Sequence, residues 1–272
     1  MRPGVYDNIS NEEYHASEGL SASGLKLLAR SPAHYKYSVR EETPAMRKGT
    51  AVHTAVFEPE RFAASYVIAP DVDKRTKAGK EAWAELEASG KIVLSAKEYE
   101  TTQAMGDAVR NHRLAGPLVM DGKAEQSVYW RQPVTIGGEN REYTEILCKC
   151  RPDYVKELGE GYVIVDLKTT SDARPLRWGK SAYWDYGYHI QAAHYMIGME
   201  SATGERAREF VFIVAESESP YGVLVYKTPT LTLMRGYEEN EELYKVYAGC
   251  NKADLWPCYP DMIYEFDLPR GA

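Results

Sequence analysis

The run Tyr162-Val163-Ile164-Val165-Asp166-Leu167-Lys168 constrains this chain more than any other stretch. Val163, Ile164 and Val165 are apolar in succession, so both faces of the strand they form must be covered. That is the pattern of a central strand rather than an edge. Side chains alternate across a strand, so Ile164, Asp166 and Lys168 share one face. A carboxylate and an amine thus end a buried element, where charge is costly unless it is paired or put to use. Taken alone, Asp166-Leu167-Lys168 also fits a solvated edge with a surface ion pair.

A second carboxylate narrows the choice. Asp153 stands thirteen residues before Asp166 and follows the apolar run Ile146-Leu147-Cys148-Lys149-Cys150 through Arg151-Pro152. The segment Lys156-Glu157-Leu158-Gly159-Glu160-Gly161 between them reads as a hairpin connection, which puts Asp153 on a neighbouring strand. Two carboxylates converging on one point repel unless a cation lies between them, and a hard divalent ion such as Mg²⁺ prefers oxygen donors. An adjacent lysine can steady an attacking water or the charge growing on a phosphate. The combination points to metal-dependent phosphodiester hydrolysis.

The rest of the chain is consistent with a large globular core. It has 272 residues, 44% hydrophobic and 27% charged, and reads as a single domain. Residues 1–115 are mostly helical, 120–230 are rich in strands, and 230–272 form a last helix and a tail. No run approaches the roughly 20 apolar residues of a membrane span, and the first residues lack a signal-peptide core; a cytoplasmic protein is expected. The net charge of −7 argues against a broadly basic surface, so any nucleic-acid binding must rest on a local positive patch and the metal. Cys148, Cys150, Cys250 and Cys258 match neither a zinc spacing nor a disulfide framework, and ordinary reduced thiols are expected.

The pattern predicts short helices near Ser21–Leu28 and Ser31–Tyr35, and a helix over Met46–Phe57 ended by Pro59. Further helices are expected at about 79–89 and 95–115. Strands follow at Glu125–Thr135, Tyr143–Arg151 and Tyr162–Lys168, then an aromatic loop over 172–187. A helix over 188–201, strands over 208–216 and 221–228, and a helix over 230–248 complete the chain. The fold class is α/β: a mixed sheet, with one helix crossing between its third and fourth strands.

Several other residues can join the site. His53 lies one helical turn after Gly49 and is either a ligand or a packed core residue; Arg47 and Lys48, one turn earlier, can meet an anion. Glu125 opens a strand and can be an oxygen ligand, as can Glu145, although acidic residues are common there. Gln191 and Tyr195, four apart on a helix, share a face and can hold a phosphate or the attacking water, or form a polar stripe. In the 172–187 loop, Arg174, Arg177 and Lys180 can contact DNA phosphates, and Trp178 can stack on a frayed base, unless the aromatics pack down.

Gly49-x-x-x-His53, Glu125, Pro152-Asp153, Asp166-Leu167-Lys168 and Gln191-x-x-x-Tyr195, in this order, resemble the PD-(D/E)xK nuclease motifs of the RecB and lambda-exonuclease type. Ser31-Pro32-Ala33-His34-Tyr35, Gly49-Thr50-Ala51-Val52-His53 with Glu58-Pro59, and Val165-Asp166-Leu167-Lys168-Thr169-Thr170 resemble the RecE (exonuclease VIII) nuclease-domain family in particular. The resemblance spans about residues 5 to 260 and implies a restriction-endonuclease-like core, a central mixed sheet flanked by helices. It implies His53, Asp153, Asp166 and the Leu167 carbonyl as metal ligands and Glu125 as an acidic ligand or activator. Lys168 would be the catalytic lysine, with Gln191 and Tyr195 supporting it and the substrate phosphate. It further implies Mg²⁺-dependent (or Mn²⁺-dependent) 5′→3′ digestion of one strand at double-stranded DNA ends. A 3′ strand would be left for an annealing partner of the RecT type, and the enzyme would be a ring-shaped homo-oligomer, trimer or tetramer, as in phage and prophage recombination. Two other readings stand beside it: a CRISPR-associated or helicase-linked nuclease of the same superfamily, whose iron–sulphur cysteine spacing this chain lacks, and a non-catalytic DNA-binding module.

Overall fold

The structure is a computed structural model and describes residues 1–39, 43–73, 75–137 and 141–265. The chain begins with strand β1 (Gly4–Tyr6) and helices α1 (Asn11–Ala16), α2 (Ala22–Arg30) and α3 (Pro32–Tyr37). Ser10, Ser21 and Ser31 cap these three helices, each side chain accepting a backbone N–H from the first turn. Helix α4 (Pro44–Phe57) follows, capped by Thr43 with proline at its first position. Next come α5 (Pro59–Ser65), β2 (Tyr66–Ile68), α6 (Lys77–Ala88), β3 (Ile92–Leu94) and α7 (Ala96–Asn111). The strand-rich part runs β4 (Lys123–Ala124), β5 (Ser127–Ile136), β6 (Glu142–Cys150), β7 (Tyr154–Glu157) and β8 (Tyr162–Thr170). Helices α8 (Pro175–Trp184) and α9 (Tyr188–Thr203), strands β9 (Glu209–Glu216) and β10 (Val223–Lys227), and helix α10 (Thr230–Ala253) end the sequence of elements.

The expected mixed sheet is present, with β8 at its centre. The five strands are ordered β10-β9-β8-β7-β4; β8 and β9 are parallel and the other pairs antiparallel. A second, antiparallel sheet is ordered β1-β5-β6, and the chain passes from β6 to β7 through Arg151-Pro152-Asp153. Both faces of β8 are covered, as its composition requires. Val163, Val165 and Leu167 pack with Val52, Val56, Met105 and Val109 of α4 and α7. On the other face Tyr162 and Ile164 join Phe210, Phe212, Trp130 and Met196 in a larger core beneath α9 and α10. Helix α9 presses closely on β5: a Cβ on Gly198 would lie 2.5 Å from the Trp130 ring and 3.0 Å from Cys150 Sγ, so only glycine fits there.

Three expectations need correction. The 172–187 stretch is largely a helix, α8, so two helices rather than one cross between β8 and β9. Glu125 does not open a strand; it sits in the turn between β4 and β5 with φ +52°. Strands β2 and β3, a parallel pair of three residues each, were not foreseen. No helix among the described residues is long and apolar enough to cross a membrane.

Candidate active site

The site forms where β8, α4, α9 and the β4–β5 turn meet. On α4, Ala51, Val52, Ala55 and Val56 are buried against the core, which turns the half-buried His53 toward the end of β7. There its Nδ1 lies 3.4 Å from Asp153 Oδ2. The same Asp153 oxygen accepts the Leu167 N–H at 2.7 Å, so β8 itself orients the carboxylate. Glu125 is drawn in by the backbone, its N–H donating to the Asp153 carbonyl at 3.1 Å. Its left-handed conformation costs on the order of 1 kcal/mol for a non-glycine residue, the kind of local strain that concentrates at functional sites. One ligand atom from each of His53, Glu125 and Asp153 lies within 4.8 Å of the others.

Asp166 and Lys168 occupy the α9 face of β8. Asp166 is 1% exposed; its Oδ1 accepts a hydrogen bond from Gln191 Nε2. Lys168 Nζ forms an ion pair with Asp166 Oδ2 at 2.5 Å. The surface-pair alternative is thereby excluded: the pair is internal. The Lys168 ammonium also lies 4.7 Å over the Tyr188 ring, a cation–π contact. Gln191 in turn accepts a hydrogen bond from Lys26 Nζ at 3.1 Å. Tyr195, on the same helix, feels the charges of Asp166 and Asp153.

Crowding of these groups sets their protonation. Burial, then the Asp153 charge, raises Asp166 to about 6; the same two causes raise Glu125 to about 7. Burial would depress His53, but the Asp153 carboxylate and its hydrogen bond outweigh it and lift the imidazole to about 9. Burial would also raise Asp153, but His53, Lys168 and the Leu167 N–H hold it below the usual carboxylate range. On Lys168 burial opposes the charge and the Asp166 carboxylate more than restores it, so the amine stays protonated. Two carboxylates pushed toward neutrality by their neighbours, Asp153 held ionised between them and a converging imidazole make a donor set that a divalent cation fits.

Arg151 and Lys26 are site residues that sequence reasoning passed over. The Arg151 guanidinium is buried, donates to Ser127 Oγ and the Ile9 carbonyl and reaches to 4.0 Å from Glu125 Oε2. It stacks on the Tyr14 ring, tying the N-terminal segment to the β4–β5 turn. Two open cavities of about 760 Å³ each meet along Asn11, His15, Glu125 and Arg151. One contains His53 and Lys168; Lys149 and Tyr195 lie in the other.

The proposed DNA contacts divide. Trp178 is corrected: it is buried, stacked 4.5 Å from the Tyr226 ring and edge-on to Phe212, so it cannot meet a base. Arg174 is held by the Asp172 carboxylate through both its Nε and its terminal nitrogen. Arg177 and Lys180 are exposed on α8. Arg47 and Lys48 line a separate cavity of about 470 Å³ with Glu98 and Thr102, on the far side of α4 from His53. Glu145 is exposed on β6, opposite Pro133. Cys148 and Cys150 are buried free thiols.

Residues 21–265 match the family described as a PDDEXK-like domain of unknown function (DUF3799). The chain belongs to that family. It thus carries the fold and motif class of the PD-(D/E)xK nucleases. Among solved structures, a candidate exonuclease of Eubacterium rectale is similar at 14% identity, covering 96% of each chain with a TM-score of 0.54; at that identity the likeness speaks for the fold. The structure of SSO0001 matches more distantly, at 12% identity over 81% of this chain and 85% of that one, with a TM-score of 0.30. No curated protein matches the chain.

Proposed function

We propose that this PDDEXK-like protein is a divalent-metal-dependent exodeoxyribonuclease. It would digest one strand of linear double-stranded DNA from 5′ to 3′ and leave a 3′ single strand for an annealing protein of the RecT type, acting as a cytoplasmic, ring-shaped homo-oligomer. The observation that carries the reading is the junction at the end of β8. There the His53–Glu125–Asp153 group adjoins the buried Asp166–Lys168 pair, in the motif order of this nuclease class.

His53, Glu125, Asp153 and Asp166 would hold Mg²⁺ or Mn²⁺, which when bound supplies Lewis acidity to the scissile phosphate. The protein's own groups do the positioning. Gln191 fixes the Asp166 carboxylate from one side while Lys26 fixes Gln191. Lys168, kept charged by Asp166 and steadied over Tyr188, presents an ammonium to the anionic charge that grows on the phosphate or the attacking water. Arg151 holds the turn that carries Glu125.

The test is digestion of linear duplex labelled separately at its 5′ and 3′ ends, with Mg²⁺ and with EDTA. Lys168→Ala is expected to abolish Mg²⁺-dependent digestion while leaving the circular-dichroism spectrum unchanged. Full activity of that variant, or full activity in EDTA, would overturn the reading.

A further inference from the structure

Beside Lys168 the surface carries aromatics that the hydrolytic chemistry does not use. Trp184, at the end of α8, is 80% exposed and Tyr186 is 53% exposed. Gly187 turns the chain at φ +55°, a left-handed conformation suited to glycine, and across it the Tyr186 and Tyr188 rings stack at 5.4 Å and 21°. Tyr188 is the inner end of the row, with the Lys168 ammonium 4.7 Å and the Lys26 ammonium 4.8 Å from its ring centre. The aromatic row therefore runs from solvent to the amine of the site. Trp184, Tyr186 and Tyr188 line one cavity of about 730 Å³ with Lys26 and Arg30, within the usual range of small-ligand sites. Asp185 and Glu239 also line it; Glu239 is ion-paired with Arg235 and hydrogen-bonded to His189 Nε2. Large exposed aromatics beside cations are costly in water and suit flat, anionic polymers whose bases stack on any π-face.

We propose that Trp184 and Tyr186, backed by the partly buried Tyr188, form a stacking track that holds unpaired bases of the DNA strand whose phosphate reaches Lys168, so that the protein engages frayed or overhanging ends in preference to closed duplex. The proposal rests on the nuclease reading for its polarity toward Lys168, but its test does not need cleavage. Trp184 and Tyr186 are positioning residues: they touch bases, not the reacting phosphate.

The probe is a (dT)12 oligonucleotide titrated in EDTA into the full chain, followed by quenching of tryptophan fluorescence and by anisotropy of a labelled strand. Trp184→Ala and Tyr186→Ala are each expected to weaken (dT)12 binding by about tenfold, the scale of one lost base–aromatic stack. Trp184→Phe is expected to restore most of the affinity. In Mg²⁺, both alanine variants are expected to slow digestion of duplex with a short unpaired end more than that of blunt duplex, so that the preference for unpaired ends shrinks. Unchanged (dT)12 affinity in both alanine variants would overturn the proposal even if wild-type protein digests DNA. Weakened (dT)12 binding in the alanine variants of a protein whose wild type cuts nothing would overturn the nuclease reading and leave the track standing. A change in molecular mass on light scattering in Trp184→Ala, with (dT)12 affinity intact, would assign the aromatics to a subunit interface and also overturn the proposal.

Discussion

His194 allows a prediction whose size follows from the structure. It lies on α9, fully buried, with its ring 4.7 Å from Trp130. Its Nε2 faces the Lys149 carbonyl at 3.1 Å, and its Nδ1 faces the Tyr244 hydroxyl at 2.8 Å. A carbonyl can only accept, so Nε2 carries the proton and Nδ1 accepts from the tyrosine; the imidazole is neutral. Burial lowers it from 6.5 to about 4. In the unfolded chain the ring takes its proton near pH 6.5. The unfolded state therefore binds more protons between about pH 4 and 6.5, and the stabilisation, complete above 6.5, is lost as the pH falls through that window. Between pH 7 and 4.5 the loss from this one group is about 2.5 kcal/mol, at 1.36 kcal/mol per pKa unit. The assay is urea unfolding of wild type and His194→Gln at the two pH values, in EDTA. Glutamine keeps an amide donor for Lys149 and an acceptor for Tyr244 but does not titrate. The variant is expected to be less stable at pH 7, yet to lose about 2.5 kcal/mol less than wild type on acidification. Carboxylates elsewhere titrate alike in both proteins and cancel in this comparison. Equal losses would refute the buried neutral ring, and with it the clamp that seats α9, and hence Gln191, over Asp166.

Three further predictions rest on packing and burial. Gly198→Ala should cost about 1–3 kcal/mol by overpacking, since its Cβ would meet Trp130 at 2.5 Å; an unchanged melting temperature would show that α9 can move off β5. Asp166→Asn should abolish Mg²⁺-dependent digestion and lower the melting temperature in EDTA at pH 8, because it leaves the Lys168 ammonium without its carboxylate partner; an unchanged or higher melting temperature would count against it. Trp178→Ala should destabilise the fold by about 3–5 kcal/mol while the folded protein keeps its affinity for (dT)12, measured by anisotropy; a loss of affinity without a loss of stability would return Trp178 to the DNA surface.

The centre of the site was legible because its physics is local. A strand apolar on both faces can only be central, and alternation alone places Asp166 and Lys168 together on the α9 face. His53 and Gln191 were reachable through helical periodicity, since a buried stripe on α4 fixes where His53 points. The turn at Glu125 was not legible: its left-handed conformation and its bond to the Asp153 carbonyl are imposed by tertiary neighbours. Arg151 gave no signal either, because its buried guanidinium is bonded to Ser127 on a paired strand and to the carbonyl of Ile9 far upstream in the chain, and both partners arrive only through tertiary folding. The β2–β3 pair, three residues on each strand, is too short to show alternation.

The two tryptophans show how one wrong element misassigns function. As a loop, 172–187 gives Trp178 and Trp184 equal standing as partners for DNA. As a helix beginning with Pro175 at its first turn, it does not. Trp178 and Ala182 are four apart and face the core together. Trp184 follows Trp178 by six residues, which on a helix of 3.6 residues per turn leaves it about 120° around the axis, on the solvent side. The stripe was hard to see because it is only two residues wide, one turn of contact, against a background of Arg, Gly, Lys and Tyr. The proline was the available signal, and reading it as a helix start would have buried Trp178 and exposed Trp184. Which aromatic can meet a base is therefore decided by backbone geometry, before any chemistry of the side chain is considered.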